Sequence, residues 1–168
     1  MIVRHAKSDW TDLSLSDHDR PLAPRGITAL ARMRDHLADR ASPDLVLCSS
    51  ARRTLDTLEG ILPALDGDVE VRVEDELYGA GVWSLVDRLR RVDDDVTSVM
   101  LVGHNPGLHD LAVELAGDGD NDAGATWEQL VTKFPTGAIA TLSFDVPWDG
   151  MGSGSATLDG LFTPRPPR

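Results

Sequence analysis

Four short stretches of this chain hold the residue types that could do chemistry. Arg4-His5 follows two β-branched residues near the start, and Ser49-Ser50-Ala51-Arg52-Arg53 follows a compact apolar run. Asp75-Glu76 closes an alternating stretch, and Gly103-His104 closes a second apolar run. A guanidinium grips phosphate oxygens with two parallel N–H groups, and a neutral imidazole is a nucleophile near pH 7. Two arginines and two histidines around one space therefore suit a phosphoryl group. One imidazole attacks phosphorus in line, while the arginines and the other imidazole, as imidazolium, offset charge on the equatorial oxygens. The intermediate is a phosphohistidine, later hydrolysed by water. The same set makes a poor zinc site, because guanidinium cations repel a metal and no carboxylate or thiolate cluster has ligand spacing. Neither a metal nor a cofactor is expected.

The elements that must position these groups alternate along the chain. A strand ends in Arg4-His5, with only Met1, Ile2 and Val3 before it; either that strand is short or residues upstream of Met1 complete it. A polar, turn-forming loop over 9–26 leaves the strand and lines the same cleft, with Pro21 and Pro24 limiting regular structure. The spacing predicts a helix over 24–38 with Ile27, Leu30, Ala31, Leu37 and Ala38 on one face. A buried strand over 44–48 follows, in which Cys48 is a small core residue. Ser49 and Ser50 stand where the N-cap of a second helix belongs, and Leu55, Leu58, Leu62 and Leu65 carry its apolar face. A strand over 69–73, a helix bearing Val82, Leu85, Val86 and Leu89, and an apolar strand over 96–102 come next. A helix bearing Leu108, Leu111, Ala112 and Leu115 follows, with His109 as a surface or cap residue near its start. A short helix over 127–134, a strand over 138–144 and an edge strand over 155–158 complete the pattern.

Strands alternating with amphipathic helices imply a three-layer α/β/α domain, its mostly parallel central sheet covered on both faces. Ligands bind such sheets outside the carboxyl ends of the strands, and all four polar stretches fall there. The domain is expected to run over 1–163, with a Pro/Arg tail over 164–168, and the 117–124 stretch reads as a mobile acidic loop. The chain has 168 residues, 41% hydrophobic and 26% charged, which fits one ordinary core. A net charge of −12 argues against nucleic-acid or anionic-membrane partners, so a phosphate site must be a local concentration of arginine. A lone cysteine excludes an intrachain disulfide, and no leader or spanning run is evident, which favours a cytoplasmic protein.

Taken together, the stretches resemble the histidine phosphatase (phosphoglycerate mutase-like) superfamily. Val3-Arg4-His5-Ala6 is similar to its Arg-His-Gly/Ala signature, Ser50-Ala51-Arg52-Arg53-Thr54-Leu55-Asp56-Thr57 to its second motif, and Gly103-His104-Asn105 to its third. Asp19-Arg20-Pro21-Leu22 and Leu22-Ala23-Pro24-Arg25-Gly26 resemble the SixA-like phosphohistidine phosphatase branch, as do the short chain and the lack of a cap domain. The resemblance implies that His5 is the nucleophile, Arg4 and Arg53 are phosphate ligands with Arg52 pointing elsewhere, and His104 is the second pocket histidine. In larger members of the superfamily a proton donor lies in the loop after the third strand, where Asp75 and Glu76 stand here; the resemblance leaves open whether the donor is Asp75, Glu76 or neither, both then being solvated loop acids. A phosphoramidate leaving group is a nitrogen that can already carry its proton, so a weak acid there selects for phosphohistidine over ordinary sugar phosphates. Lys7 and Arg20 could contact substrate phosphate or an acidic partner, and Trp10 could form a rim contact. The implied substrate is a phosphorylated protein, with a small phosphorylated metabolite as the rival and a non-catalytic phosphoprotein-binding module as the reading from a different class.

Overall fold

Alternation decides how each strand serves two layers at once. Successive side chains of a strand point to opposite faces, so a run of apolar residues feeds two cores. In the computed structural model, which describes residues 1–117 and 124–164, strands β1 (Ile2–Arg4), β2 (Leu45–Ser49), β3 (Glu70–Glu74), β4 (Val99–Gly103), β5 (Ile139–Ser143) and β6 (Thr157–Phe162) form one sheet. Its order is β3-β2-β4-β1-β5-β6; β1 to β4 are parallel, and β5 runs antiparallel to both β1 and β6. Val3, Val46, Cys48, Met100, Val102 and Ile139 pack on helices α1 (Pro24–Leu37) and α2 (Arg52–Ile61). Ile2, Leu45, Leu47, Leu101 and Ala140 pack on the opposite face against α3 (Val82–Arg90), α4 (Gly107–Ala116) and α5 (Gly124–Thr132). The layers are those expected, with no cap domain among the described residues. Nor is any described helix long and apolar enough to cross a membrane.

Several local expectations need correction. The buried stripe of α1 is Gly26, Leu30, Met33 and Leu37, and Ile27 is 59% exposed. The reason is the close seat of Gly26: a Cβ there would lie 2.2 Å from the Lys7 carbonyl oxygen, so this edge of the helix faces inward and Ile27 turns out. Ser49 and Ser50 do not cap α2, whose N-cap is Ala51 with no side-chain bond. Ser49 is the last residue of β2 and fully buried. His109 is neither cap nor free surface residue: its Nε2 donates to the Leu130 carbonyl (2.6 Å) and its ring stacks on Phe134, tying α4 to α5. The expected edge strand over 155–158 forms later, as β6. Packing continues one residue past 163, because Arg32 on α1 donates to the buried Pro164 carbonyl. Residues 118–123 of the acidic loop and 165–168 of the tail lie outside the described residues.

Parallel register is what gathers the polar stretches. Arg4 pairs with Gly103, Val102 with Cys48, and Ser49 with Glu74. One row beyond, at the carboxyl ends, come His5, His104, Ser50 and Asp75. The loop between β1 and α1 returns beside its own start, with Asp9 N–H donating to Pro21 O and Ala23 N–H donating to Lys7 O, both at 2.8 Å. Arg52 N–H then donates to His18 O (2.9 Å), which lays that loop over the start of α2.

Candidate active site

His5 leaves β1 with its backbone held on three sides. Its N–H donates to Gly103 O (3.1 Å), its carbonyl accepts from Gly137 N–H (3.0 Å), and the next N–H, of Ala6, donates to Thr57 Oγ1 on α2 (3.0 Å). The ring is oriented by Nδ1, which lies 2.7 Å from the Ala6 carbonyl oxygen. A carbonyl only accepts, so Nδ1 carries the proton and the Nε2 lone pair is left for chemistry. Burial pushes the His5 pKa down to about 3, and the neighbouring His104, Arg53 and Arg4 push in the same direction, against the Ala6 hydrogen bond. The imidazole is neutral across the ordinary pH range, as a nucleophile must be.

His104 sits beside it, the two ring centroids 5.3 Å apart. Its Nε2 lies 2.7 Å from Ser49 Oγ, whose hydroxyl has no other acceptor among the described residues, so Ser49 donates and the His104 proton resides on Nδ1. That Nδ1 is buried and has no hydrogen-bond partner among the described residues, and the same holds for Arg4 Nε. The Arg4 guanidinium is anchored through Nη1 on Phe134 O (2.8 Å), which Asn105 Nδ2 also reaches (2.8 Å). Unpaired buried donors cost about 1–3 kcal/mol each, which a bound anion would recover. Burial first, and then Arg53, lowers the His104 pKa to about 4, so the free pocket holds a neutral His104. An entering phosphate dianion would favour the charged form of both rings.

Arg53 is buried in the first turn of α2, and its charge acts on both His5 and His104. Arg52 is exposed and pairs with Asp56 on its own helix (2.6 Å), pointing elsewhere. The Arg53 guanidinium is engaged by Asp17: Nη1 donates to its carbonyl, and Nη2 to its carboxylate Oδ2 at 2.9 Å. Tyr78 donates its hydroxyl to the same Oδ2 (2.7 Å), and its ring meets both His104 and His18 edge-on. His18 in turn lies 3.1 Å from Ser50 Oγ. The two serines that look like caps thus serve two histidines.

The structure brings Arg4, His5, Arg53 and His104 together. Asp75 and Glu76 are exposed on the 3-10 turn after β3, and neither makes a hydrogen bond or ion pair to these four among the described residues; Tyr78, which ends the same turn, does reach the pocket. Lys7 is half-buried, and its side chain makes no hydrogen bond or ion pair among the described residues. Arg20 is buried and bound to its own loop, with Nη1 on Asp12 O (3.1 Å), Nη2 on Leu15 O (3.2 Å) and its guanidinium 4.3 Å from the Trp10 ring centroid. Asp17, Ser49 and Tyr78 are contacts that sequence reasoning missed. Ser16-Asp17-His18-Asp19 reads as ordinary loop polarity, and its one signal is that this loop leaves the His5 strand and must cross the cleft.

The chain is similar to known proteins in sequence and in fold. The family model described as the histidine phosphatase superfamily (branch 1) matches residues 1–106. An uncharacterized protein of Mycobacterium tuberculosis is 40% identical over 166 residues, covering 97% of this chain and 100% of that protein. A candidate phosphohistidine phosphatase SixA from Nakamurella multipartitia superposes with a TM-score of 0.82 at 31% identity, over 97% of this chain and 95% of that one. The protein histidine phosphatase SixA complexed with tungstate superposes with a TM-score of 0.75 at 25% identity, over 97% and 95%.

Proposed function

Because the chain belongs to the histidine phosphatase superfamily (branch 1) and is a phosphatase of the SixA-like kind, we propose that it hydrolyses its substrate through a phosphohistidine formed on His5, without a metal, and that the substrate is phosphohistidine on a protein. The observation that carries this reading is the asymmetric readiness of the pocket. One imidazole is held neutral with Nε2 left for chemistry, while two buried N–H groups beside it, Arg4 Nε and His104 Nδ1, have no acceptor among the described residues. In-line attack by His5 Nε2 forms the N–P bond as the bond to the leaving group breaks. Arg4, Arg53 and His104 hold the equatorial oxygens.

The choice of a phosphorylated protein rests on two features. The pocket has no covering domain among the described residues, so a bulky phosphoprotein can present its phosphate. The carboxylate at the pocket, Asp17, is held below the ordinary carboxyl range by the Tyr78 hydroxyl and then by Arg53, so it is ionised and offers no proton to a leaving alkoxide. A phosphoramidate nitrogen needs less help.

The test is parallel turnover of a phosphohistidine protein, p-nitrophenyl phosphate and a sugar phosphate in EDTA, wild type beside His5→Ala. The expected result is preference for the phosphohistidine protein and a loss of about 10³-fold or more in His5→Ala. Turnover surviving in His5→Ala would sink the mechanism, and preference for the sugar phosphate would transfer the substrate to the metabolite class. Binding of phosphoprotein without turnover would make the chain a recognition module.

A further inference from the structure

The Phe134 carbonyl oxygen is the point on which the first arginine of the pocket turns. A carbonyl oxygen has two lone pairs, and both are taken here. Arg4 Nη1 donates to one and Asn105 Nδ2 to the other, each at 2.8 Å. The carbonyl itself is held in place. The Phe134 side chain is buried and its ring stacks on His109. Just beyond it, Gly137 N–H donates to the Arg4 and His5 carbonyls (3.2 and 3.0 Å), and Ala138 O accepts from Arg4 N–H (3.0 Å). With Nη1 tied down, the guanidinium is left with its Nε–Nη2 edge, two parallel N–H groups spaced for a pair of phosphate oxygens. Nε is buried without a hydrogen-bond partner among the described residues.

Asn105 closes the Gly103-His104-Asn105 motif, and packing alone does not account for it. Its Oδ1 is buried with no donor among the described residues, an arrangement that costs folding free energy. The amide cannot be turned over, because Oδ1 would then face the Phe134 oxygen, acceptor against acceptor. We propose that Asn105 is a positioning residue for Arg4. By occupying the second lone pair of the Phe134 carbonyl it fixes the direction of the bond to Nη1, and so aims the Nε–Nη2 edge at the phosphoryl oxygens. The inference rests on the reading above, in which Arg4 is a phosphate ligand. Asn105 itself touches no substrate. It acts through one carbonyl, and it couples the motif that carries His104 to the arginine beside His5. Without it, Nη1 can swing between two lone pairs and the fork loses its alignment on the phosphoryl group.

The experiment is a double-mutant cycle read in kcat/KM for phosphoramidate, with urea unfolding of every variant. Wild type, Asn105→Leu, Asn105→Ala, Arg4→Met and the double variant Arg4→Met/Asn105→Leu are compared. Asn105→Leu removes the Nδ2 donor and the orphaned oxygen together at similar volume. The expected result is a loss of about tenfold in kcat/KM for Asn105→Leu and for Asn105→Ala. Asn105→Leu should unfold at a urea concentration no lower than wild type. In the Arg4→Met background the Leu substitution should cost nothing further, a non-additivity that a merely structural role would not produce. Wild-type kcat/KM in both Asn105 variants overturns the assignment. The same loss with and without Arg4 overturns it too, because Asn105 would then act independently of that arginine. Loss of the fold in both Asn105 variants makes the residue structural and overturns it as well. Wild-type kcat/KM in Arg4→Met, or no turnover by wild type, overturns the reading of the pocket itself and the inference with it.

Discussion

Two buried neutral histidines make this protein's stability depend on pH in a way that can be calculated. His5 and His104 have folded pKa values of about 3 and about 4, against about 6.5 in an unfolded chain. Between these limits the unfolded state binds protons that the folded state refuses, so acidification favours unfolding. The stabilisation is full above about pH 6.5 and is lost as pH falls towards about 4 for His104 and about 3 for His5. At pH 5 an unfolded histidine gains about 1.5 pH units of proton binding, or about 2 kcal/mol, and the folded ring almost none. The pair therefore removes about 4 kcal/mol between neutrality and pH 5, a large part of a typical 5–15 kcal/mol. The perturbation that isolates this effect is His104→Gln, which deletes one titrating ring. Urea unfolding followed by tryptophan fluorescence at pH 7, 6 and 5 gives the slope of stability on pH for each protein. Replacement should lower the slope by about 1.4 kcal/mol per pH unit below pH 6, whatever it does to stability at pH 7. Identical slopes would refute the neutral, buried placement of His104. Inorganic phosphate should flatten the wild-type slope, because an anion in the pocket raises both folded pKa values.

Other outcomes follow from single contacts. Ser49→Ala removes the partner of His104 Nε2 and frees its tautomer; turnover should fall about tenfold and stability by about 1–3 kcal/mol, measured by steady-state kinetics and urea unfolding. Arg53→Ala should cost about 10²–10³ in turnover, while Arg52→Ala, which breaks only an exposed pair, should change stability by about 0.5 kcal/mol or less and leave turnover intact. Asp75→Asn and Glu76→Gln should both turn over phosphohistidine protein like wild type, and a large loss in either would restore that loop to the mechanism.

Much of the site is legible in the amino-acid sequence because its parts sit at strand ends. Arg4-His5, Arg52-Arg53 and Gly103-His104 each follow a run of apolar residues whose only stable home is a covered parallel strand, and such strands present their carboxyl ends together. The choice of Arg53 over Arg52 rests on motif spacing and agrees with the buried placement of Arg53. The acid is harder to read, since Asp75 and Glu76 have the right residue type after the right kind of element. Which side chain of that turn faces the pocket depends on how the turn packs over β2 and β4, which local sequence does not encode; it is Tyr78 whose ring meets His104.

The amino-acid sequence by itself determined the layered α/β architecture, the family and the four side chains, Arg4, His5, Arg53 and His104, that gather at the carboxyl ends of the strands. Periodicity and short motifs are local properties carried by neighbouring residues. Tertiary structure alone decided the parts that depend on meetings between distant segments. Register set His104 beside His5, and Ser49 became a donor to His104 instead of a helix cap. The return of the first loop brought Asp17 onto Arg53 and Tyr78, 36 and 61 residues away along the chain. The protonation of the pocket belongs to the same class: burial and converging guanidinium charges hold both imidazoles neutral, and neither exists until the chain has folded.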